Sequence, residues 1–291
     1  MTELESLREK NDLNILWDYI PGLSFYQITF VFMVSIYQLA AGSLQVAQII
    51  LQVAPDNITC VESGHVGCNT NCTEYDYHFA LFNETVISEF GLVCEKDNYS
   101  SFISSISLFG LFFGAISTGF ASDWYGRKTI ILIGTTGCAL CSLCTSIFSY
   151  NIYLYTIFRM ITGALVHGTG CVSLTWLMEF VAIKYRSWVA AISYFFFDVG
   201  IANLSLVGYL FVNWHHQSLT ITVLPVIGII VAFLMPESIF YLYGSGKFKQ
   251  GKLELESLIK RTNGDLTKLD ELSAKLADIS STGRFEHIKM F

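Results

Sequence analysis

The chain of 291 residues is strongly apolar: 53% of its residues are hydrophobic, 14% are charged, and the mean hydropathy is +0.50. Soluble domains carry about 25% charged residues, so this composition excludes an ordinary soluble domain and indicates a polytopic membrane protein. The formal net charge of −7 excludes the basic character typical of nucleic-acid binding, and no nucleic-acid partner is predicted. At about 20 apolar residues per helical span, the length allows about six or seven spans in a lipid bilayer.

The first predicted elements are a polar segment, residues 1–22, and an uncharged apolar run within residues 23–53. The run is too long for a secretory signal peptide, and Asp12 and Asp18 precede it where such a peptide carries basic residues. We therefore predict a first membrane helix that stays in the protein, preceded by a cytoplasmic N-terminal segment.

A long polar loop, residues 54–99, follows the first apolar run. Residues 51–99 hold eight acidic residues and one base, so this stretch alone carries a net charge of −7, equal to that of the whole chain. The loop also carries four Asn-x-Ser/Thr sequons, at Asn57, Asn71, Asn83 and Asn98. Clustered sequons are typical of a lumenal or extracellular segment, so we predict that the loop is extracellular and that these asparagines are glycosylated.

Half of the eight cysteines lie in this loop, namely Cys60, Cys68, Cys72 and Cys94. An even number of cysteines in an oxidising compartment predicts two disulfides, with three possible pairings. The alternative, a zinc site that uses His65, is disfavoured because the sequons place the loop outside the cell. Three further cysteines, at 138, 141 and 144, lie in an apolar run and are interpreted as packing residues, so no metal is predicted.

Five further apolar runs, with few or no charges, predict five more membrane helices. They cover residues 102–121, 129–148, 152–180, 188–212 and 219–235. With the long loop outside, the connections that carry basic residues all fall on the inside. Those bases include Arg127, Lys128, Lys184, Arg186 and Lys247. Since basic residues favour cytoplasmic loops, two independent signals predict an all-α bundle of six spans over residues 23–235.

The last segment, residues 236–291, is predicted to be cytoplasmic. Its apolar residues repeat at helical spacing, at Leu266, Leu269, Leu272, Leu276 and Ile279. Gly264 and Asp265 are typical of a helix start. We predict a short amphipathic helix that lies against the bundle; the alternative is a loosely ordered polar tail with chance periodicity.

The connection between the second and third spans reads Gly119-x3-Asp123-x2-Gly126-Arg127-Lys128. The glycines allow a tight turn and close helix approach. Asp123 ends one helix and Arg127 begins the next, which favours an ion pair at the cytoplasmic face. This string resembles the signature loop of the major facilitator superfamily.

Further strings narrow the resemblance. They are Phe90-Gly91-Leu92-Val93-Cys94 in the long loop, Arg159-Met160-Ile161-Thr162-Gly163 in the fourth span, the stretch from Glu179 to Arg186, and Pro236-Glu237-Ser238 after the sixth span. In order and spacing they resemble the organic cation and organic anion transporters, solute carrier family 22. The resemblance implies two six-helix halves around a central cavity, alternating access, and small organic ions as substrates.

The resemblance also implies roles for the matched residues. A cytoplasmic gate network would stabilise one facing state, built around Gly119 and Gly126 by Asp123, Arg127, Lys128, Glu179, Arg186 and Glu237. Such a network is a bistable element whose opening frees the two halves to rock. The alternative is that these residues only set the membrane topology.

The sequence departs from the family's pattern in ways that bear on function. Trp214 is followed by His215 and His216 where the family has Trp-Arg, and the chain ends at Phe291, before any seventh span. We therefore expect the N-terminal half of a plasma-membrane transporter, which pairs with a second half, forms a homodimer, or belongs to a longer product. The alternative is a truncated member that binds or regulates a full-length transporter. No nucleophile–base pair or phosphate-binding loop stands out, so neither an enzyme nor a cofactor is predicted.

Four side chains within the spans are candidates for substrate contact, namely Arg159, His167, Phe196 and Asp198. An ionised carboxylate near mid-membrane costs roughly 2.5–3.5 kcal/mol, so Asp198 is expected to be paired, protonated or in an aqueous cavity. A cationic substrate would satisfy it, and together with the acidic loop this favours organic cations. The alternative is a structural pair between Asp198 and His167 or Arg159.

Overall fold

The computed structural model describes residues 17, 23–62, 64–68, 72–147, 150–262 and 264–281. Six of its helices are long and apolar enough to cross a membrane. They are α1 (Phe25–Leu51), α3 (Asp97–Tyr125), α4 (Arg127–Ile147), α5 (Ile152–Glu179), α6 (Arg186–Leu210) and α7 (Trp214–Leu234). The prediction of six spans is confirmed. Apart from Trp17, the predicted N-terminal segment 1–22 lies outside the described residues, as does the sequon residue Asn71.

The ends of two helices differ from the predicted spans. α3 begins at Asp97 rather than at residue 102, and α7 begins at Trp214 rather than at residue 219. The Asn213 side chain caps α7 by accepting a hydrogen bond from the backbone amide of His215 at 3.0 Å. Polar residues thus extend both helices beyond their apolar runs. An apolar run marks the part of a helix that lies at membrane depth, whereas the residues that cap a helix determine where it begins.

Two pairs of helices pack with their backbones in direct contact. On α3, a Cβ added to Gly114 would collide with the backbone of Ala164 on α5. On α6, a Cβ added to Gly200 would collide with the backbone of Leu39 on α1. Small residues allow this close approach, so α3 lies on α5 and α6 lies on α1, and the other faces of α3 and α6 are left open.

The helices α3 and α6 are the least buried of the six. Their open faces carry large apolar side chains that are exposed, among them Phe109, Phe113, Phe120, Phe195 and Tyr209. Such a face requires lipid or another polypeptide to cover it.

Three shorter helices follow the bundle: α8 (Ile239–Gly244), α9 (Phe248–Arg261) and α10 (Leu269–Ser281). The amphipathic helix predicted over residues 266–279 is present as a 3₁₀ turn followed by α10. Its buried residues Leu272, Leu276 and Ile279 join one apolar core with Phe30 and Trp176 of the bundle. Helices α8 and α9 were not predicted from the sequence.

The long loop folds around two disulfides and a short hairpin. Strand β1 (Asn57–Cys60) pairs with β2 (Tyr75–His78) in antiparallel register, and helix α2 (Val86–Glu89) follows. The disulfides join Cys60 to Cys72 and Cys68 to Cys94, which confirms the predicted number of bridges and selects one of the three pairings. The sequon asparagines at 57, 83 and 98 are exposed.

Candidate functional site

A buried charge cluster lies at the end of the bundle where α3 turns into α4, which we call the basic end. Gly126 forms the turn with a φ of 102°, a conformation that favours glycine. A Cβ added there would lie 2.6 Å from Oε2 of Glu237. The turn brings Asp123, in the last turn of α3, into an ion pair with Arg127, the first residue of α4.

Arg127 joins this turn to the far end of α5. Its Nε and Nη2 atoms donate to Oε1 of Glu179 at 3.3 Å and 3.1 Å. The other oxygen of Glu179 accepts a hydrogen bond from the hydroxyl of Ser238, which caps α8. Arg127 is only 5% exposed, so the guanidinium is buried between two carboxylates that satisfy its donors.

Glu237 is held by backbone amides. Its Oε1 accepts from the backbone amides of Lys128 at 3.1 Å and Ser238 at 2.9 Å. The Lys128 amide lies at the N-terminus of α4, where a carboxylate is favoured by the helix dipole. Burial nevertheless raises the pKa of the Glu237 carboxyl, because it removes the charged form from water. We call Asp123, Arg127, Glu179, Glu237 and Ser238 the charge cluster.

Three predicted members of the gate network lie differently from the prediction. The Lys128 side chain donates to the carbonyl of Phe233 at 3.0 Å and pairs with no carboxylate among the described residues. Arg186 is close enough to Glu179 for electrostatic attraction, but its Nε has no hydrogen-bond partner among the described residues. None of the described residues lies within 4 Å of a Cβ added to Gly119, so no helix of the described chain approaches this glycine closely.

Two contacts at the charge cluster were not predicted. Ser238 was noted only as part of a sequence string, although a serine before a helix is a common cap. Tyr241 donates from its hydroxyl to the carbonyl of Trp124 at 3.0 Å, and its ring lies beside Gly126. No pattern in the sequence distinguishes this tyrosine from its neighbours.

At the opposite end of the bundle, a cavity of about 620 Å³ lies between α1, α3 and α5. Its polar lining consists of Gln45, Gln48, Gln52, Ser100, Ser101, Ser104, Ser107, Arg159 and Thr162. Arg159 is 5% exposed, and its guanidinium lies 5.9 Å from the centre of the Tyr155 ring. This space, which we call the α1–α3–α5 cavity, has the size of a site for a small organic molecule.

Of the four predicted substrate residues, only Arg159 lines this cavity. Asp198 is exposed on α6 and forms no ion pair within the described part of the chain, so its structural pairing with His167 or Arg159 is not observed. His167 is half-buried on α5. Phe196 lies edge-on to Phe32, with ring centres 6.0 Å apart. The structure therefore does not gather the four into one site.

The long loop is fastened to the start of α7 by a group of contacts that the sequence did not predict. Glu89 Oε2 accepts from Nε1 of Trp214 at 2.5 Å and lies 3.0 Å from Nε2 of His215. The Asn213 side chain donates to Oε2 of Glu84 at 2.8 Å. We call these five residues the loop clamp, and this end of the bundle the loop end.

Comparison with known proteins identifies the family to which the chain belongs. A family model described as "Sugar (and other) transporter" matches residues 62–289. The chain belongs to this transporter family. Solute carrier family 22 member 16 of Xenopus laevis is 32% identical to it over 188 residues, which are 64% of this chain and 32% of that relative. Member 7 of Mus musculus is 30% identical over 199 residues, 68% of this chain and 36% of that relative.

Solved structures agree on the fold. The proton:xylose symporter XylE of the major facilitator superfamily superposes with a TM-score of 0.67 at 13% identity, over 89% of this chain and 54% of that one. A partially occluded inward-open XylE from E. coli gives a TM-score of 0.62 at 13% identity, over 89% of this chain and 60% of that one. This member of the sugar (and other) transporter family is thus a multi-pass membrane protein with half of a major facilitator fold.

The chain spans about a third of the length of the solute carrier relatives it matches. The matched family and structures are described as transporters rather than enzymes. The predicted resemblance to solute carrier family 22 is confirmed.

Proposed function

We propose that this chain is one six-helix unit of a membrane transporter that moves small organic ions by alternating access. The family match and the solute carrier relatives support transport. The observation that carries the proposal is the charge cluster, in which one buried arginine ties the α3–α4 turn to α5 and, through Glu179, to the start of α8.

The charge cluster is proposed to stabilise one facing state. Charged groups that are buried together stay together while water is excluded, and they separate when water enters. Opening of the basic end would hydrate Arg127, Asp123 and Glu179, which gives a two-state element of the kind that alternating access requires. The α1–α3–α5 cavity would then hold the substrate at the loop end.

A second six-helix unit is proposed to cover the open apolar faces of α3 and α6. It comes either from a longer product of which this chain is a part or from a second copy. We further propose that the loop end is extracellular in the plasma membrane and that both termini are cytoplasmic. The exposed sequon asparagines, the disulfides and the position of the basic residues support this orientation.

A second function is also carried by the open faces of α3 and α6. A chain that does not transport could use these faces to bind a full-length relative and regulate it.

The sign of the substrate's charge is a separate question. From the sequence, Asp198 favoured cations, but its exposed position on α6 lies outside the α1–α3–α5 cavity. The proposal is therefore for organic ions of either sign.

Uptake in cells that express the full chain tests the proposal. Labelled 2-naphthoate and 2-naphthylmethylammonium are the two probes, and surface biotinylation measures the amount of protein delivered. We expect uptake of at least one probe, a loss of it in Arg127→Gln, and no change in Lys260→Gln, which removes a cation from an exposed pair on α9. No uptake of either probe at normal surface delivery would contradict the proposal and favour the regulatory function.

A further inference from the structure

We infer that the loop clamp senses pH, and that a proton on His215 fastens the long loop more tightly to α7. The inference concerns the fold at the loop end, so it goes beyond the proposed transport function and does not depend on it. It rests on the position of one imidazole ring between a carboxylate and an indole.

His215 contacts two groups that attract a cation. Its Nε2 lies 3.0 Å from Oε2 of Glu89, and its ring stacks on the Trp214 ring with centres 4.0 Å apart and an angle of 30° between the planes. A neutral imidazole can donate a hydrogen bond to the carboxylate but carries no charge for it to attract. A protonated imidazole gains an ion pair with the carboxylate and a cation–π contact with the indole. Imidazole ordinarily changes its charge between about pH 5 and pH 8, so acid strengthens this contact.

The other contacts of the loop clamp are made by uncharged donors. The Trp214 indole donates to the same Glu89 oxygen at 2.5 Å, and the Asn213 side chain donates to Glu84 at 2.8 Å. The backbone amide of Trp214 also donates to the carbonyl of Glu84 at 3.2 Å. The clamp can therefore form at neutral pH, and protonation of His215 strengthens a contact that is already in place.

The charged surroundings of His215 are mainly acidic. On the side of the long loop, including the cavity wall beside Glu89, the charged residues are Glu74, Glu84, Glu89, Glu95 and Lys96. On α7 the neighbour is the exposed His216, and α5 contributes Arg159, its charged residue nearest the loop end. The helices α1, α4 and α6 pack against α7 and have no Asp, Glu, Lys, Arg or His in their last ten residues. A surplus of carboxylates attracts a protonated ring.

The loop clamp also packs against the wall of the α1–α3–α5 cavity. The buried Trp214 ring meets the Tyr155 ring edge-on, with centres 5.9 Å apart. The other neighbour of Tyr155 is Arg159, whose guanidinium lies 5.9 Å from the centre of the ring and lines the cavity. A proton on His215 thus acts next to a residue that supports the cavity wall. With the long loop outside the cell, external acid would stiffen this wall.

Hydrogen exchange of the purified full chain in nanodiscs tests the inference. The measured quantity is the protection factor of α2 and of the first turn of α7, which corrects for the effect of pH on the exchange chemistry. We expect about two- to fivefold more protection at about pH 5.5 than at about pH 7.5, the effect of one part-exposed ion pair. The lower pH is above the range in which carboxylates ordinarily gain protons.

Two variants of His215 separate charge from shape. His215→Gln keeps a neutral donor, so protection should be equal at the two pH values and close to the lower value of the unchanged chain. His215→Arg keeps a cation at every working pH, so protection should be equal at the two pH values and close to the higher value. Glu89→Gln removes the negative charge but leaves an acceptor for the Trp214 indole. It should also abolish the pH response, which keeps the test decisive if the His215 variants fold poorly.

The neighbouring histidines provide matched controls. His216→Gln changes the exposed residue next to His215, while His65→Gln and His78→Gln change the other histidines of the long loop. His78 contacts the hydroxyl of Thr59 across the hairpin at 3.2 Å. Each control should keep the pH response of α2 and α7. Equal protection at both pH values in the unchanged chain, a response that persists in His215→Gln, or a response that is lost in any control would overturn the inference.

Discussion

The two ends of the bundle are closed by different chemistry. At the basic end, the charge cluster buries Arg127, whose side chain is 7% exposed, against Glu179, whose side chain is 17% exposed. At the loop end, the clamp joins Glu89 and His215, whose side chains are 25% and 30% exposed. Arginine keeps its charge at every working pH, whereas His215 is a cation only when its ring is protonated. The basic end therefore depends on a buried arginine and its two carboxylate partners, while the loop end depends on hydrogen bonds that the uncharged donors Trp214 and Asn213 make to part-exposed carboxylates.

The largest effect is expected from Arg127→Gln. It leaves Asp123 and Glu179 without their counter-charge, and breaking a buried pair from one side typically costs about 3–5 kcal/mol. Thermal unfolding of the purified protein in detergent should show this as a large fall in the midpoint. The exposed pair of Lys260 and Glu256 is the control, because surface pairs within one helix are worth about 0.3–0.5 kcal/mol. Equal losses in Arg127→Gln and Lys260→Gln would show that the charge cluster is not a stabilising centre.

The turn at Gly126 gives the next effect. Gly126→Ala forces a side chain into a conformation that costs about 1–3 kcal/mol, and its Cβ would lie 2.6 Å from Glu237 Oε2. Gly119→Ala, inside α3, is the control, because none of the described residues lies within 4 Å of a Cβ added there. Alanine inside a helix is favoured over glycine by up to about 1 kcal/mol. The two variants should therefore shift the unfolding midpoint in opposite directions, and shifts of the same sign would contradict the role of the turn.

Within the loop clamp, the contribution of Glu89 can be divided between its two partners, Trp214 and His215. Glu89→Ala should leave Nε1 of the fully buried Trp214 without an acceptor, which costs about 1–3 kcal/mol. His215→Ala removes only the part-exposed partner, and such pairs contribute about 0–1 kcal/mol. Hydrogen exchange of α2 and the start of α7 would report both. If His215→Ala loosened these segments as much as Glu89→Ala, the ion pair rather than the tryptophan would be the main contact.

The same contrast explains what could be predicted from the sequence. Asp123 and Arg127 are four residues apart across a glycine turn, so local spacing was enough to predict their ion pair. Glu179 was named only through the family resemblance. Charge type alone does not fix where a side chain points. Lys128 and Arg186 were predicted to belong to the gate network, but within the described part of the chain neither side chain forms an ion pair at hydrogen-bonding distance. The loop clamp joins Glu89 to Trp214 across 125 residues, and no local pattern announces such a contact.

The fold was more predictable than the candidate site. Apolar runs of spanning length predict membrane helices directly, and all six are present. The hairpin of the long loop was missed because β1 and β2 are only four residues each, too short for alternation to be visible. Asp198 was expected to be paired, protonated or in an aqueous cavity because of its depth along the fifth span. Depth does not determine which face of a helix a residue occupies, and Asp198 lies on an exposed face of α6.

The smallest expected effect is a pH dependence of stability that arises at the basic end, measured as the slope of the unfolding midpoint against pH. Burial raises the pKa of Glu237 in the folded protein, so the folded state binds this proton more tightly than the unfolded state does. Its contribution to stability is therefore complete below the ordinary glutamate pKa and is lost as the pH rises through the raised value. Glu237→Gln stays neutral and can still accept from the Lys128 and Ser238 amides, so its unfolding midpoint should fall less over the same range. An identical slope in both proteins would place the titrating group elsewhere. A slope that disappears only in Glu237→Gln would make the backbone-held carboxylate, rather than the Arg127 pairs, the pH-dependent part of the charge cluster.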